Sequence, residues 1–169
     1  MLAATLVATS AQALRSDREQ PIRVSSDTVD VNQKTGVSKY AGNVVLVQGT
    51  LRIEANEVLV YFRNNEVDKV FAKGKPLHYR QRIDGHEQEV QASARRLEYH
   101  AAKHRVDLFD RVAFRQGEDV FQSPVVRYDL NTTQLTAEGG SSPERVHSVI
   151  TPRSKPKTED GDTAKPAAK

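Results

Sequence analysis

Four histidines come nearest to a chemical constellation in this chain. His100 and His104 are four residues apart, a spacing that brings two imidazoles to one metal ion only along a helix, and here they bracket a turn-like Ala101-Ala102-Lys103. His78 and His86 lie on or beside a hairpin around Asp84-Gly85, without the His-x-His pair of a cupin-type centre. The ligand set that a bound ion needs is missing, so the sequence predicts no metal and no cofactor. Carboxylates such as Asp27, Glu54, Asp107 and Asp110 alternate with apolar residues, as a solvent-facing row does, and no pair is singled out for acid and base work. Neither a Gly-x-Ser-x-Gly elbow nor a phosphate-binding glycine loop is present. No catalytic residue is assigned. Asn131-Thr132-Thr133 matches a glycosylation sequon and reads as a plain turn.

The information lies instead in the apolar pattern, most legibly in residues 40–62, YAGNVVLVQGTLRIEANEVLVYF. Alternating runs at Val44-Val45-Leu46-Val47 and at 51–55 flank Gln48-Gly49-Thr50, the pattern of a strand, a tight turn and a strand. The alternation then changes phase: Ile53 and Ala55 share one parity, Val58, Val60 and Phe62 the other. Asn56-Glu57 must absorb one residue, as a bulge or corner does. The same slip recurs from Val24/Ser26 to Val29/Val31, from Ala92/Ala94 to Leu97/Tyr99, and from Phe121/Ser123 to Val126/Tyr128, where Pro124 occupies the corner. The small residues fall at intervals of 29, 39 and 29, the longer one holding the Asp84-Gly85 hairpin. Four stacked copies of one strand-corner-strand unit are expected.

Other turns are read at residues 33–36, Gly42-Asn43, Arg63-Asn64-Asn65, Lys73-Gly74-Lys75, Gln116-Gly117-Glu118 and Asn131-Thr132, where residue types suit positive φ or side-chain capping. No helical apolar stripe runs for three turns. The fold class is therefore all-β: an antiparallel β-jellyroll, a folded-over two-sheet stack of about 14–16 short strands, open at both ends. A content of 37% hydrophobic residues without Trp or Cys in 169 residues fits many short strands, and excludes disulfides and thiolate metal sites. The formal charge of +3 is concentrated in the tail: residues 151–169 carry +2, leaving a nearly neutral body without an electrostatic footprint for nucleic acid.

Residues 1–13, MLAATLVATSAQA, end in the small-x-small form of a signal-peptide cleavage site and lack a basic beginning, as a truncated leader would. Residues 14–20 read as a flexible lead-in, 21–150 as the β domain and 151–169 as a disordered tail.

Residues 20–27, QPIRVSSD, and 40–55, YAGNVVLVQGTLRIEA, resemble the signature of the LptA (OstA-like) family. Gly74-Lys75-Pro76, and Ala92-Ser93-Ala94 through Glu98-Tyr99, extend the resemblance over most of the β domain. The GNV…QG…I.A spacing carries the specificity, since alternating valines occur in any sheet. Asn56 stands where the family often has Asp, a small departure at a corner. The resemblance implies a periplasmic lipopolysaccharide-transport protein with a jellyroll of antiparallel strands, most similar to the soluble bridge component. It implies lipopolysaccharide, through its lipid A acyl chains, as the cargo. It also implies an inner-membrane-side jellyroll component at the N-terminal edge and an outer-membrane translocon at the C-terminal edge.

By the same resemblance Ile22, Val24 and Tyr99 take the acyl-contacting role. Parity adds Val29, Val31, Val44, Leu46, Ile53, Val58, Val60, Leu77, Tyr79, Leu97, Phe114, Phe121, Val126 and Tyr128 as inward-facing residues. Mostly β-branched or medium-sized, they are expected to line a channel, against the alternative of a scaffold module with a dry core; a cupin-like enzyme finds little support. A stack of about eight strands per sheet at ~4.8 Å is roughly 35 Å long, too short to cross a periplasm alone. Open edges can add strands, so head-to-tail joining is expected through Ile22, Arg23, Val24 and Ser25 at one end and Thr133, Leu135 and Ala137 at the other.

Overall fold

A computed structural model describes residues 17–83, 89–140 and 144–152. The expected leader, the Asp84-Gly85 turn with His86, and the tail from residue 153 lie outside the described residues. Ten strands are described: β1 (Arg23–Ser25), β2 (Thr28–Asn32), β3 (Val37–Gln48), β4 (Leu51–Arg63), β5 (Glu66–Arg82), β6 (Glu89–His100), β7 (Arg105–Gln116), β8 (Asp119–Asp129), β9 (Leu135–Glu138) and β10 (His147–Val149). Every pairing is antiparallel. The order is β1-β3-β4-β5-β6-β7-β8-β10, with β2 also on β3 and β9 also on β8.

Each long strand is bent. Register skips between Ala41 and Val44 on β3, Glu54 and Glu57 on β4, Lys73 and Leu77 on β5, Ser93 and Arg96 on β6, and Phe109 and Val112 on β7. Pro124 takes the corresponding place on β8, between Ser123 and Val125, which pair with Val112 and Phe109. The skips align in a column, so the sheet folds along it into two facing leaves. Leaf I holds β1, β10 and the halves of β3–β8 nearest the turns at Gly49 and Gly117. Leaf II holds β2, β9 and the other halves.

The phase slips on β4, β6 and β8 fall where the alternation puts them, and the Ser26-Asp27 slip separates β1 from β2. The intervening strands bend as well, at Gly42-Asn43, Gly74-Lys75-Pro76 and Asp110-Arg111. Two of these sites read as chain reversals in the sequence and are corners within continuous strands, so the short strands expected are mostly halves of long ones. At Gly42-Asn43 the confusion has a physical cause: both residues have positive φ, the conformation that a reversal also demands.

The corners are tied to each other. The Asp27 backbone N–H donates to the Gly42 carbonyl (2.9 Å), and the Asn43 amide donates to the Asp27 carboxylate (3.0 Å). At φ 79°, a Cβ on Gly42 would collide with that carboxylate. Gly42→Ala is expected to lower stability by about 1–3 kcal/mol, measured by urea denaturation. A loss as small as that at an exposed strand residue would mean that the corner does not depend on this close approach.

Candidate apolar groove and sheet edges

Register assigns the inner face row by row. Val58 pairs with Ala72, Ala72 with Leu97, Leu97 with Leu108, and Leu108 with Val126 across leaf II. In leaf I, Leu46 pairs with Ile53, then Tyr79, Ala92, Phe114 and Phe121 follow in one row. Phe114 of leaf I meets Tyr128 of leaf II with ring centroids 5.1 Å apart, so the leaves touch through their aromatic residues.

Of the residues expected to face inward, Val44, Leu46, Ile53, Leu77, Tyr79 and Phe114 are buried in leaf I, and Val58, Val60, Leu97, Val126 and Tyr128 in leaf II. Ile22, Val24, Tyr99 and Phe121 are half-buried at the margins of the same core. Val29 and Val31 depart from the expectation, at 58% exposed. They project from the inner face, opposite Tyr40 and Ser38, but β2 is the last strand of leaf II and no further strand covers it. Pattern reading missed Val70, Ala72, Val90, Val106, Leu108 and Val112. Their alternation was available, but it could be phased only once the corners on β5 and β7 were known.

The expected channel is not open. Side chains from the two leaves interdigitate, and beneath the lip opposite the corners a cavity of ≈ 20 Å³ remains, lined among others by Ile22, Leu51, Val67, Val70, Tyr79 and Tyr99. That is space for about one water molecule. A polar network covers this lip. Tyr79 Oη donates to Gln81 Oε1 (2.7 Å), and Gln81 Nε2 donates to Asp17 Oδ2 (2.8 Å). The backbone N–H and hydroxyl of Thr50 also donate to the Asp17 carboxylate, at 2.6 and 2.7 Å, and Gln48 Nε2 donates to the Gln20 carbonyl at 3.1 Å. Residues 17–20, expected to be loose, are therefore a strap: Asp17 is buried and opens the 3₁₀ turn Asp17–Glu19. A buried carboxylate is held by such charge-assisted bonds.

The edges are split strands. Among the described residues, β1 and β2 pair on one side only, with β3, and β9 and β10 on one side only, with β8. Arg23, Val24 and Ser25 form β1 with Ile22 just ahead of it, and Leu135 and Ala137 lie on β9. Thr133 does not belong to the edge strand: with φ 56° it sits in the reversal before β9. The last strand is β10, too short at three residues (His147–Val149) for alternation to reveal it, and Val149 beside the edge is 66% exposed.

His100 and His104 flank the 3₁₀ turn Ala101–Lys103. His100 Nε2 lies 3.4 Å from Asp107 Oδ2, while His104 takes the left-handed position after the turn. Among the described residues no group of three or more His, Cys, Asp or Glu could hold a metal ion.

Burial pushes the Tyr79 phenol up, with Tyr128, Tyr99 and Asp17 adding repulsion. Burial and then Asp129 push Tyr128 up. A raised phenol pKa favours the neutral form in the folded state, so the stability it contributes is present below the ordinary value of 10.0 and is lost as pH rises above it. In an alkaline absorbance titration, these two of the five tyrosines should ionise only as the fold is lost. All five titrating together near 10 with an intact circular dichroism spectrum would contradict the packed interior.

Comparison with known proteins places this architecture. Residues 23–134 match the family described as LptA/(LptD N-terminal domain) LPS transport protein. The lipopolysaccharide export system protein LptH of Pseudomonas aeruginosa is 34% identical over 161 residues, covering 91% of this chain and 92% of that protein. LptA of Haemophilus influenzae is 29% identical over 150 residues, 87% and 86% of the two chains. LptA of Escherichia coli K12 is 29% identical over 156 residues, 90% and 83% of the two chains. The crystal structure of P. aeruginosa LptH, described as the LptA-homologous periplasmic component of the lipopolysaccharide transport device, superposes with a TM-score of 0.75 at 30% identity, covering 82% of this chain and all of that one.

Proposed function

The chain belongs to the LptA/LptD N-terminal domain family of lipopolysaccharide transport proteins, and from that premise we propose that it is a periplasmic carrier that passes lipopolysaccharide from the inner to the outer membrane. The observation that carries this reading is the set of apolar rows running from one uncovered end of the stack to the other. The role is non-enzymatic: the protein holds, releases and hands on.

Each methylene removed from water is worth about 0.8 kcal/mol, so an acyl chain of about a dozen carbons gains roughly 10 kcal/mol gross. Binding is not the difficulty; movement is, and it requires neighbouring sites of similar depth. Rows of Val, Ile, Leu and Ala repeated strand after strand supply that uniformity. The cavity at the lip holds only ≈ 20 Å³, so a chain enters by parting the leaves there, since the corners are continuous backbone. The contacts that the leaves lose are replaced by contacts to the chain, which brings the net gain well below the gross one.

Head-to-tail joining is supported by the direction of the strands. Eight strands form the main path, each antiparallel to the next, so β1 and β10 run in opposite directions. A second copy displaced along the stack sets its β1 against β10 of the first in antiparallel sense, and its β2 against β9 likewise. Both leaves then continue, and Val29 and Val31 are covered. An inner-membrane-side jellyroll component takes the N-terminal edge and an outer-membrane translocon the C-terminal edge by the same strand addition. Residues 1–13 are removed as a leader, and residues 21–150 form the transport domain.

Photo-crosslinking residues introduced at Val60 and Phe114 should yield lipopolysaccharide adducts in the living host. Adducts to neighbouring side chains alone would favour a dry scaffold. In sedimentation velocity the average mass should rise with concentration, and V29K/V31K, which charges an exposed edge, should suppress that rise without lowering the melting temperature. One unchanging mass for the native chain would end the self-joining proposal.

A further inference from the structure

The strands that wall the apolar interior carry a different surface on their other side. Along leaf I, Ile53, Tyr79 and Phe114 point inward, and their chain neighbours Arg52, Arg80 and Arg115 point outward. Register sets these arginines in one row: Arg52 opposite Arg80, Arg80 opposite Gln91, Gln91 opposite Arg115. Arg23 ends the row at the N-terminal edge, opposite Val47, which pairs in turn with Arg52. The outer face here forms a recess of ≈ 720 Å³ spanning β4 to β8, lined by the three central arginines with Glu54, His78 and Gln122.

The recess carries uncompensated positive charge. Glu54 is its one lining carboxylate, and Arg52 takes it at 2.7 Å. Arg80 and Arg115 are exposed and form no ion pair with a described residue. Arg52 and Arg80 stand directly opposite each other, an arrangement of like charges that costs stability, and Arg115 lies in the same row beyond Gln91, so an anionic ligand reaching along the row relieves that repulsion. Arginine also matches phosphate geometrically, since its planar fork donates two parallel hydrogen bonds.

We infer that this row binds the phosphate groups of the saccharide end of the same amphiphile whose acyl chains lie between the leaves; the inference rests on the carrier reading above. The row lies two residues in from the turns that form the leaf I lip, about 7 Å at strand rise. Chains held under that lip therefore leave their head group where it can fold over onto the arginines. An acidic protein partner suits the recess less well. Protein interfaces centre on apolar and aromatic anchors, and of the exposed large apolar residues only Val149, paired with the lining residue Val120, borders the recess, at its β10 end.

The test is R80Q/R115Q in the full mature chain, with two probes of identical acyl composition: lipopolysaccharide bearing its phosphates, and the same lipid enzymatically dephosphorylated. Affinity for the phosphorylated probe should fall roughly tenfold, with a weaker dependence on salt, and affinity for the dephosphorylated probe should hold. R95Q/R111Q, an equal loss of charge at exposed corner positions, should change neither. Equal losses in both double variants would reduce the effect to overall charge and overturn the inference. So would unchanged lipid affinity in R80Q/R115Q, including the case in which that variant instead loses a protein partner. A native chain that takes up neither probe refutes the carrier reading itself, whereas uptake of both with no effect of R80Q/R115Q refutes the arginine row alone.

Discussion

The fold depends on one geometric constraint: every strand must skip register at the same height. A skip on a single strand would only re-aim its later side chains. Repeated on each neighbour, from Ala41/Val44 on β3 to Phe109/Val112 on β7, it becomes a crease along which one continuous sheet closes onto itself. Different residues meet the demand by different means. Gly42 and Asn43, or Asp110 and Arg111, adopt positive φ; Gly74 allows Leu77 to come close; and Pro124 sits where the ladder is already broken.

From that crease follow the interior and its limits. Because the crease runs the length of the stack, the space between the leaves is a slot with two ends and one lip, not a closed core. At the ends the apolar rows run out into partial burial or exposure, as at Val24, Phe121 and Val31. Between them, β-branched and aromatic side chains from both leaves are buried against each other. Asp17 and its partners Thr50 and Gln81 lie across that lip.

The same alternation that seals the slot decorates the outside. One strand carries Ile53 inward and Arg52 outward, and the next carries Tyr79 inward and Arg80 outward. A sheet one residue thick therefore presents an apolar and a basic face separated only by backbone. An amphiphile has two such faces, and the lip is where both can be reached at once.

By itself the sequence determined the inner-face residues wherever apolar pairs flank a slip, as on β4 and β8. Parity is a local property of a strand, and the slips after Ala55, Ala94 and Ser123 declare themselves through apolar residues on both sides. The resemblance in residues 20–27 and 40–55 named the family that the later comparisons established. Three matters were decided only in the folded chain. Whether Gly42-Asn43 reverses the chain or merely bends it depends on the strand that pairs beyond it, since positive φ serves both. Whether the slot is open or filled depends on how side chains from opposite leaves mesh, and no single strand encodes that. Whether Val29 is buried depends on the next strand in space, and among the described residues there is none.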